Sequence, residues 1–356
     1  MIDYGTAPAA DELEITVFGP GYGEAIAVHL GHEDWLLVDS CLEPFTSQPA
    51  SAAYLDSIGV SPNRVRAIVA SHWHDDHVRG ISQLDTKYDS ADFFLSTVFN
   101  EKEARAFLAA YSGAVAPGQA RGTTELYDIV SRRETVANIQ HRSIILELDH
   151  PDRQIRATAF SPLPSAFAQA WAHMAEYLPK KEGGSPISHA PDLKPNVEAI
   201  AIHIDFGEVA ILLGSDLEEH ANHGWSAIVA DNWSGNRRKA SAYKVAHHGS
   251  YTGDAPEIWT NLLEGDPLAV LTPFNLGRHS LPSEADKTRL RGKTQHIYTS
   301  SGATRKPNLD STNKKRLSDI CKNLTRLNSG FGAVRMRKKF GANPWGVECF
   351  GFARAL

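Results

Sequence analysis

Apolar and polar positions alternate over Glu14-Ile15-Thr16-Val17-Phe18, and the run ends in Gly19-Pro20-Gly21-Tyr22-Gly23. Apolar runs follow at residues 25–30 and 35–39. Short β-rich runs closed by glycine and proline predict three strands joined by turns. Residues 49–58 predict a helix, and the apolar run 65–70 predicts another strand. Residues 97–140 read as helical, in two stretches at 101–111 and 125–139 separated by the glycine-bearing segment 113–122. Strands are expected again at 144–148 and 155–160. Residues 161–195 are rich in Pro, Gly, Ser and His and read as a long loop or lid with a helix at 165–178; a loop of this length is often functional. Further strands are expected at 199–205, 209–213, 242–246 and 268–271, and a closing hairpin at 332–337 and 346–350.

Composition narrows the class. The chain has 356 residues, 42% hydrophobic and 22% charged, with a net charge of −6. Those values describe a globular protein with no general drive toward nucleic acid or a membrane surface. Cys41, Cys321 and Cys349 are few and scattered, which predicts no disulfide framework and a reducing, cytoplasmic setting. No apolar stretch reaches the roughly 20 residues of a membrane span. The acidic start, with Asp3, Asp11, Glu12 and Glu14, does not read as a signal peptide. One region departs from the acidic background: residues 303–329 read as a basic insertion, with Arg305, Lys306, Lys314, Lys315, Arg316 and Lys322 opposed by Asp310 and Asp319.

The densest chemistry follows the strand at 65–70. His72-Trp73-His74-Asp75-Asp76-His77 puts three imidazoles and a carboxylate into six residues. In an extended segment, side chains two apart point the same way, so His72 and His74 can grip one ion. Asp76 and His77 stand where the chain turns and can face a second. Imidazole with carboxylate suits zinc, and also manganese or iron. Other expected strands also end in Asp or His: Gly214-Ser215-Asp216, His247-His248-Gly249-Ser250, and Arg278-His279-Ser280. Ligands gather at strand C-terminal ends, so one shared site is expected.

The run HWHDDH fits the HxHxDH signature of the metallo-β-lactamase superfamily, and other segments match it in order. Val38-Asp39 resembles the superfamily's first motif, and Gly214-Ser215-Asp216 the motif with a metal-bridging aspartate. Ala246-His247-His248-Gly249-Ser250 resembles the HHGS segment of the branch that holds the ComEC-type soluble hydrolase domain and the phosphorylcholine esterases. Gly21-Tyr22-Gly23-Glu24-Ala25 resembles that branch's GQGDA turn, with Tyr22 and Glu24 in place of Gln and Asp. Arg278-His279 ahead of Pro282 resembles its late GHP element. The likeness covers roughly residues 13–95, 196–302 and 330–350.

The resemblance implies a single four-layer αββα sandwich, with a helical or lid insertion at about 96–195, the basic insertion at about 303–329, and a dinuclear site. One ion would take His72, His74 and a third ligand; the other would take Asp76, His77 and His248; Asp216 would bridge them. His189 and His203 compete for the third-ligand place, His203 less well because it falls inside a strand, and Asn196 stands in the same region. HHGS leaves open which of His247 and His248 is the ligand. Asp39 would orient a ligand histidine. Two zinc ions, or manganese, would activate a water, and Asp76 and Asp216 would do catalytic work by holding them. His247 or His279 would bind a phosphate oxygen or protonate the leaving group. The implied activity is hydrolysis of a phosphodiester in a nucleic acid, a nucleotide or a phosphorylcholine-type ester. A thioester or lactone hydrolase and a non-catalytic metal-containing binding protein are the competing readings.

Overall fold

A computed structural model describes residues 2–20, 22–97, 102–112, 122–176, 195–276, 279–302, 330–342 and 344–356, with the isolated positions 312, 313, 316 and 320. The first half of the chain builds one sheet. Its strands are β1 (Glu12–Gly19), β2 (Ala25–His29), β3 (Trp35–Val38), β4 (Val65–Val69), β5 (Asp92–Ser96) and β6 (Ala137–Ile139). Helices α1 (Ala50–Ser57), α2 (Asp75–Val78), α3 (Ile81–Lys87), α4 (Lys102–Ser112) and α5 (Gly122–Arg132) connect them. After β7 (Ile144–His150), β8 (Arg153–Ala159) and α6 (Pro164–Ala175), the second half runs through β9 (Ile202–Asp205), β10 (Ala210–Leu213), α7 (Trp225–Ala230), α8 (Asn232–Gly235), β11 (Ala240–Lys244) and β12 (Leu263–Leu271). It closes with β13 (Phe274–Leu276), β14 (His279–Leu281), α9 (Glu284–Arg291), β15 (Ile297–Thr299), β16 (Gly332–Lys339), β17 (Gly346–Gly351) and β18 (Arg354–Ala355).

The strands form two eight-stranded sheets, ordered β17-β16-β1-β2-β3-β4-β5-β6 and β18-β15-β12-β11-β10-β9-β8-β7, plus the β13-β14 hairpin. Three apolar cores separate the layers. Leu13, Ile15, Val17, Val28 and Leu36 of the first sheet share one core with Ile155, Ile202, Ile204, Ile211 and Val270 of the second. The opposite face of the first sheet is covered by helical residues such as Tyr54, Leu84, Phe107, Leu126 and Ile129. Trp225, Ile228, Ile258 and Leu290 cover the outer face of the second. The result is helix, sheet, sheet, helix, the expected αββα sandwich.

The alternation at 14–18 has its physical reason in β1. Alternate residues of a strand point to opposite faces, so Leu13, Ile15 and Val17 enter the inter-sheet core. Glu14 faces the other way, fully buried, and is satisfied: Thr16 Oγ1 and Tyr54 OH donate to its Oε1 at 2.7 and 2.5 Å, and Arg337 Nε to its Oε2 at 2.6 Å.

Several expectations change. The helical stretch over 125–139 stops at Arg132. Thr135-Val136 is β-branched and suits a pleated surface better than a helix, and Ala137–Ile139 pairs in parallel with β5 and sends Ile139 into the inter-sheet core. Within the block at 96–195, β6 extends the first sheet, and β7 and β8, where strands were expected at 144–148 and 155–160, extend the second. The strand expected at 199–205 begins at Ile202, preceded by a short 3₁₀ turn at Pro195–Glu198. The strand expected at 242–246 lies at Ala240–Lys244. β5, α3 and α9 were not anticipated. Residues 177–194 of the expected lid, and nearly all of the basic tract 303–329, lie outside the described residues. Among the described residues, no helix is long and apolar enough to cross a membrane.

The topology brings the chemistry to one edge. β3 and β4 are parallel neighbours, as are β10, β11 and β12. The segments after Val38, Val69, Leu213, Lys244 and Leu271 thus leave the sheets in company. Leu37 sits in the middle of this frame, fully buried between β2 and β4. Replacing it by alanine is expected to cost about 2–5 kcal/mol, measured as a lower denaturation midpoint with an unchanged m-value; a loss below 1 kcal/mol, given the same principle's range, would contradict this packing.

Candidate metal centre

The segments after β3, β10 and β11 deliver their side chains through an unusual backbone. Asp39, Ser215, His247 and His248 all have positive φ, between 45° and 60°. Such conformations cost free energy in residues with a Cβ and persist where the surroundings over-determine them. Here they turn the chain sharply enough for side chains from both sheets to converge.

Among the described residues three groups of possible donors form; Glu24, Asp39 and His77 make one, and the other two share Asp216. Asp76, His77, Asp216 and His248 form the first of these two, with a ligand atom from each within 4.8 Å of the others, and all four are buried. His72, His74 and Asp216 form the second. His77 Nε2 lies 3.4 Å from Asp216 Oδ1 and 3.8 Å from Asp76 Oδ2, while His248 Nε2 lies 3.2 Å from both Asp76 Oδ2 and Asp216 Oδ2. His72 Nε2 and His74 Nδ1 are 3.1 Å apart. A tetrahedral ion with bonds of about 2.1 Å holds its ligand atoms about 3.4 Å apart. The observed edges fit that figure. The donors also fit by their lack of other partners: among the described residues, His77 Nε2, His248 Nε2 and Asp216 Oδ1 are buried with no hydrogen-bond partner. Orphaned buried lone pairs are costly unless a cation takes them.

The other nitrogen of His72, His77 and His248 is occupied, which fixes where one proton sits. His77 Nδ1 donates to Asp39 Oδ2 at 2.7 Å. Ser71 also holds Asp39, through its backbone N–H and its hydroxyl, both at 2.7 Å. With its proton on Asp39, the Ser71 oxygen is free to accept from His72 Nδ1 at 3.1 Å and from Ser215 Oγ at 2.7 Å. His248 Nδ1 faces the Thr272 carbonyl at 3.1 Å, which can only accept. His72, His77 and His248 therefore all present Nε2 inward, the arrangement outer hydrogen bonds create around metals.

The charges are mutually supporting. Burial opposes charge at each of these groups. Even so, facing imidazolium charge from His248 and His77 holds Asp216 well below the usual carboxylate range and lowers Asp76. Facing carboxylates hold His77 well above its ordinary value and His248 at about 10. His72, crowded by His77 and His74, is pushed down by burial and by those neighbours. Two protons thus stand where a cation would stand.

The remaining sequence candidates separate cleanly. Of the HHGS pair, His248 enters the donor group and His247 does not. His247 is half-buried at the rim, its Nδ1 2.7 Å from Thr252 Oγ1 and 3.2 Å from Glu218 Oε1. His203 lies away from the site, stacked on Phe160 and bonded to the Arg238 carbonyl at 2.8 Å. His189 lies outside the described residues. Asn196 sits beside His247, its Nδ2 3.4 Å from His247 Nε2, and its buried Oδ1 has no partner. His279 is exposed on the β13-β14 hairpin, opposite Leu276, and belongs to neither donor group.

Sequence reasoning missed Ser71, Thr272 and Glu198. Ser71 had a signal, since it directly precedes the first ligand; the other two had none. Glu198 is fully buried and accepts from Trp73 Nε1, between His72 and His74, at 2.6 Å. Burial raises its pKa from 4.5 to about 7 against the lowering effect of Ser96 and Trp73. An acid held up in the folded state stabilises the fold fully below its unfolded pKa, and that stability is lost as pH rises toward the folded value. Glu198→Gln is therefore expected to flatten the fall in melting temperature between about pH 4.5 and 7; parallel wild-type and variant curves would contradict it. Asp39→Asn, which weakens the hold on His77 and Ser71, is expected to lower zinc affinity about 10–100-fold in chelator competition; unchanged affinity would show that Asp39 does not orient His77.

With this geometry in hand, comparisons with known proteins become informative. Residues 18–107 match the model of the metallo-beta-lactamase superfamily. Among solved structures, the chain is similar to the metallo-beta-lactamase fold protein YhfI from Bacillus subtilis, at 12% identity over 81% of this chain and 95% of that one, TM-score 0.39. It is similar to a HARLDQ-motif mutant metallo-beta-lactamase from Cronobacter sakazakii, at 14% identity over 66% and 77%, TM-score 0.36. It is also similar to BJP-1, a subclass B3 metallo-beta-lactamase of Bradyrhizobium japonicum, at 12% identity over 62% and 70%, TM-score 0.31. No curated protein is similar enough to be matched. The family match falls on the stretch that delivers Asp39 and the 72–77 cluster, and the two sheets around it form the metallo-β-lactamase fold.

Proposed function

We propose that this protein is a two-metal hydrolase whose substrate is a phosphodiester. The observation that carries the two-metal reading is the pair of donor groups sharing Asp216, with buried nitrogen and oxygen atoms that meet no hydrogen-bond partner among the described residues. His72 and His74 would hold one ion, Asp76, His77 and His248 the other, and Asp216 both. Imidazole and carboxylate donors suit zinc, and manganese with them. Two such ions, when bound, lower the pKa of a water toward 7 and neutralise charge on an oxyanion.

The chain's own residues have separate tasks. Asp39 and Thr272 hold the opposite nitrogens of His77 and His248, so the inward nitrogens are the ones that would exchange their protons for an ion. His247 stands at the rim with Nδ1 engaged by Thr252 and Glu218. Among the described residues its Nε2 meets the Asn196 amide, which donates to it at 3.4 Å, so in the protonated ring this nitrogen could bind a non-bridging oxygen or give a proton to the leaving group. His279 is exposed and outside both groups, which leaves that task to His247. The phosphodiester is supported by the resemblance of residues 246–250 to the HHGS segment. The same site could attack an acyl carbon, and the fold alone does not choose.

Zinc-loaded wild type and Asp216→Ala should be assayed on bis-p-nitrophenyl phosphate, single-stranded DNA, a thioester and a lactone. The proposal expects diester cleavage by the wild type and a loss of at least about 10³-fold in the variant, the scale at which removing a principal electrostatic stabiliser is felt. Cleavage of the thioester or lactone alone would move the reading to carbon chemistry. Diester cleavage that survives in Asp216→Ala would defeat it.

A further inference from the structure

Glu24 stands where the resembling turn carries aspartate, and it belongs to neither of the two donor groups that share Asp216. Its side chain is completely buried behind the metal centre. Its Oε2 takes the Thr272 hydroxyl proton and a proton of Lys244 Nζ, the latter at 2.7 Å. Lys244, the last residue of β11, is itself fully buried, and its Nζ also donates to the Val245 carbonyl at 2.9 Å. The backbone N–H of Glu24 donates to the Asp76 carbonyl at 2.8 Å. One residue at the edge of β2 thus touches the Asp76 turn of the first sheet and both β11 and the end of β12 in the second.

The direction of these bonds matters more than their number. Thr272 Oγ1 spends its only proton on Glu24, so its lone pairs must accept. They lie 3.3 Å from His248 Nδ1, beside the Thr272 carbonyl at 3.1 Å. One proton of His248 is thereby held at Nδ1, and Nε2, facing Asp76 and Asp216, is the nitrogen that would take an ion. A buried carboxylate could not remain in this role alone. Glu24 and Asp39 offer oxygens in one group with His77, and Lys244 supplies the positive charge that lets two carboxylates share so dry a place.

We propose that Glu24 and Lys244 are a positioning pair for the second metal site, acting on His248 through Thr272. The inference rests on the two-metal reading. Its test uses zinc affinity measured by chelator competition on the full chain, with the absorption spectrum of the cobalt-loaded protein as a second readout and melting of the metal-free protein as the control for folding. Thr272→Val removes the hydroxyl while keeping the shape, and Glu24→Gln/Lys244→Met removes both charges together, a change that need not cost stability. Each is expected to weaken the second zinc ion about 10–100-fold and to alter the cobalt spectrum, with metal-free melting preserved. Thr272→Ser is expected to retain wild-type affinity. Wild-type binding of two ions by both variants would overturn the role of the pair and leave the two-metal reading standing. A wild-type protein that takes up no second ion would sink the two-metal reading, and this role with it. If both variants unfold without metal, the contacts are structural supports and the positioning role falls.

Discussion

Two carboxylates and two imidazoles share a dry space in which several nitrogen and oxygen atoms meet no hydrogen-bond partner among the described residues. Burying Asp76, Asp216, His77 and His248 together is unfavourable unless positive charge accompanies them. The protein meets that requirement with protons on His77 and His248, or with metal, which displaces such protons on binding. The arrangement of the two halves follows from this constraint. Each sheet supplies part of the donor set: His72, His74, Asp76 and His77 follow β4, while Asp216 and His248 follow β10 and β11. Neither sheet can complete either of the groups that share Asp216 without the other.

Convergence of this kind needs rigid support. The inter-sheet core, with Ile15, Val17, Ile204 and Ile211 among its members, fixes how the sheets lie on each other. On that base, the four left-handed backbone turns aim the side chains, and a ring of hydrogen bonds on the far nitrogens sets which nitrogen would take an ion. Asp39, Ser71 and Thr272 belong to this outer ring, and the Glu24–Lys244 pair lies one bond further out. The cost of the positive φ values at Asp39, Ser215, His247 and His248 is offset by the contacts they allow.

Much of the centre could be read from residues alone. His72, His74, Asp76 and His77 stand so close in sequence that few alternatives to a metal exist, and Asp216 and His248 follow strands whose apolar runs are unambiguous. The choice of His248 over His247 was not legible, because it depends on a left-handed turn that reverses which ring faces inward. Thr272, Glu24 and Lys244 were not legible as a network for a simpler reason: they come together only when residues about 30 to 250 positions apart are folded against one another, and none is unusual in its local sequence. The fold shows the same division. β1 to β4 and the closing hairpin carry strong patterns. β6 is three residues long and is decided by its pairing with β5, so the helical run before it concealed it. β5 itself, Asp92-Phe93-Phe94-Leu95-Ser96, is buried on both faces and lacks the alternation that marks a half-exposed strand.

The central claim is that Asp216 is shared by two ions. Anomalous diffraction at the zinc edge from crystals grown with zinc would test it most directly. The account predicts two peaks per chain, one among His72, His74 and Asp216 and the other among Asp76, His77, Asp216 and His248, with one Asp216 oxygen bound to each. A single peak, or two peaks of which only one touches Asp216, would contradict it.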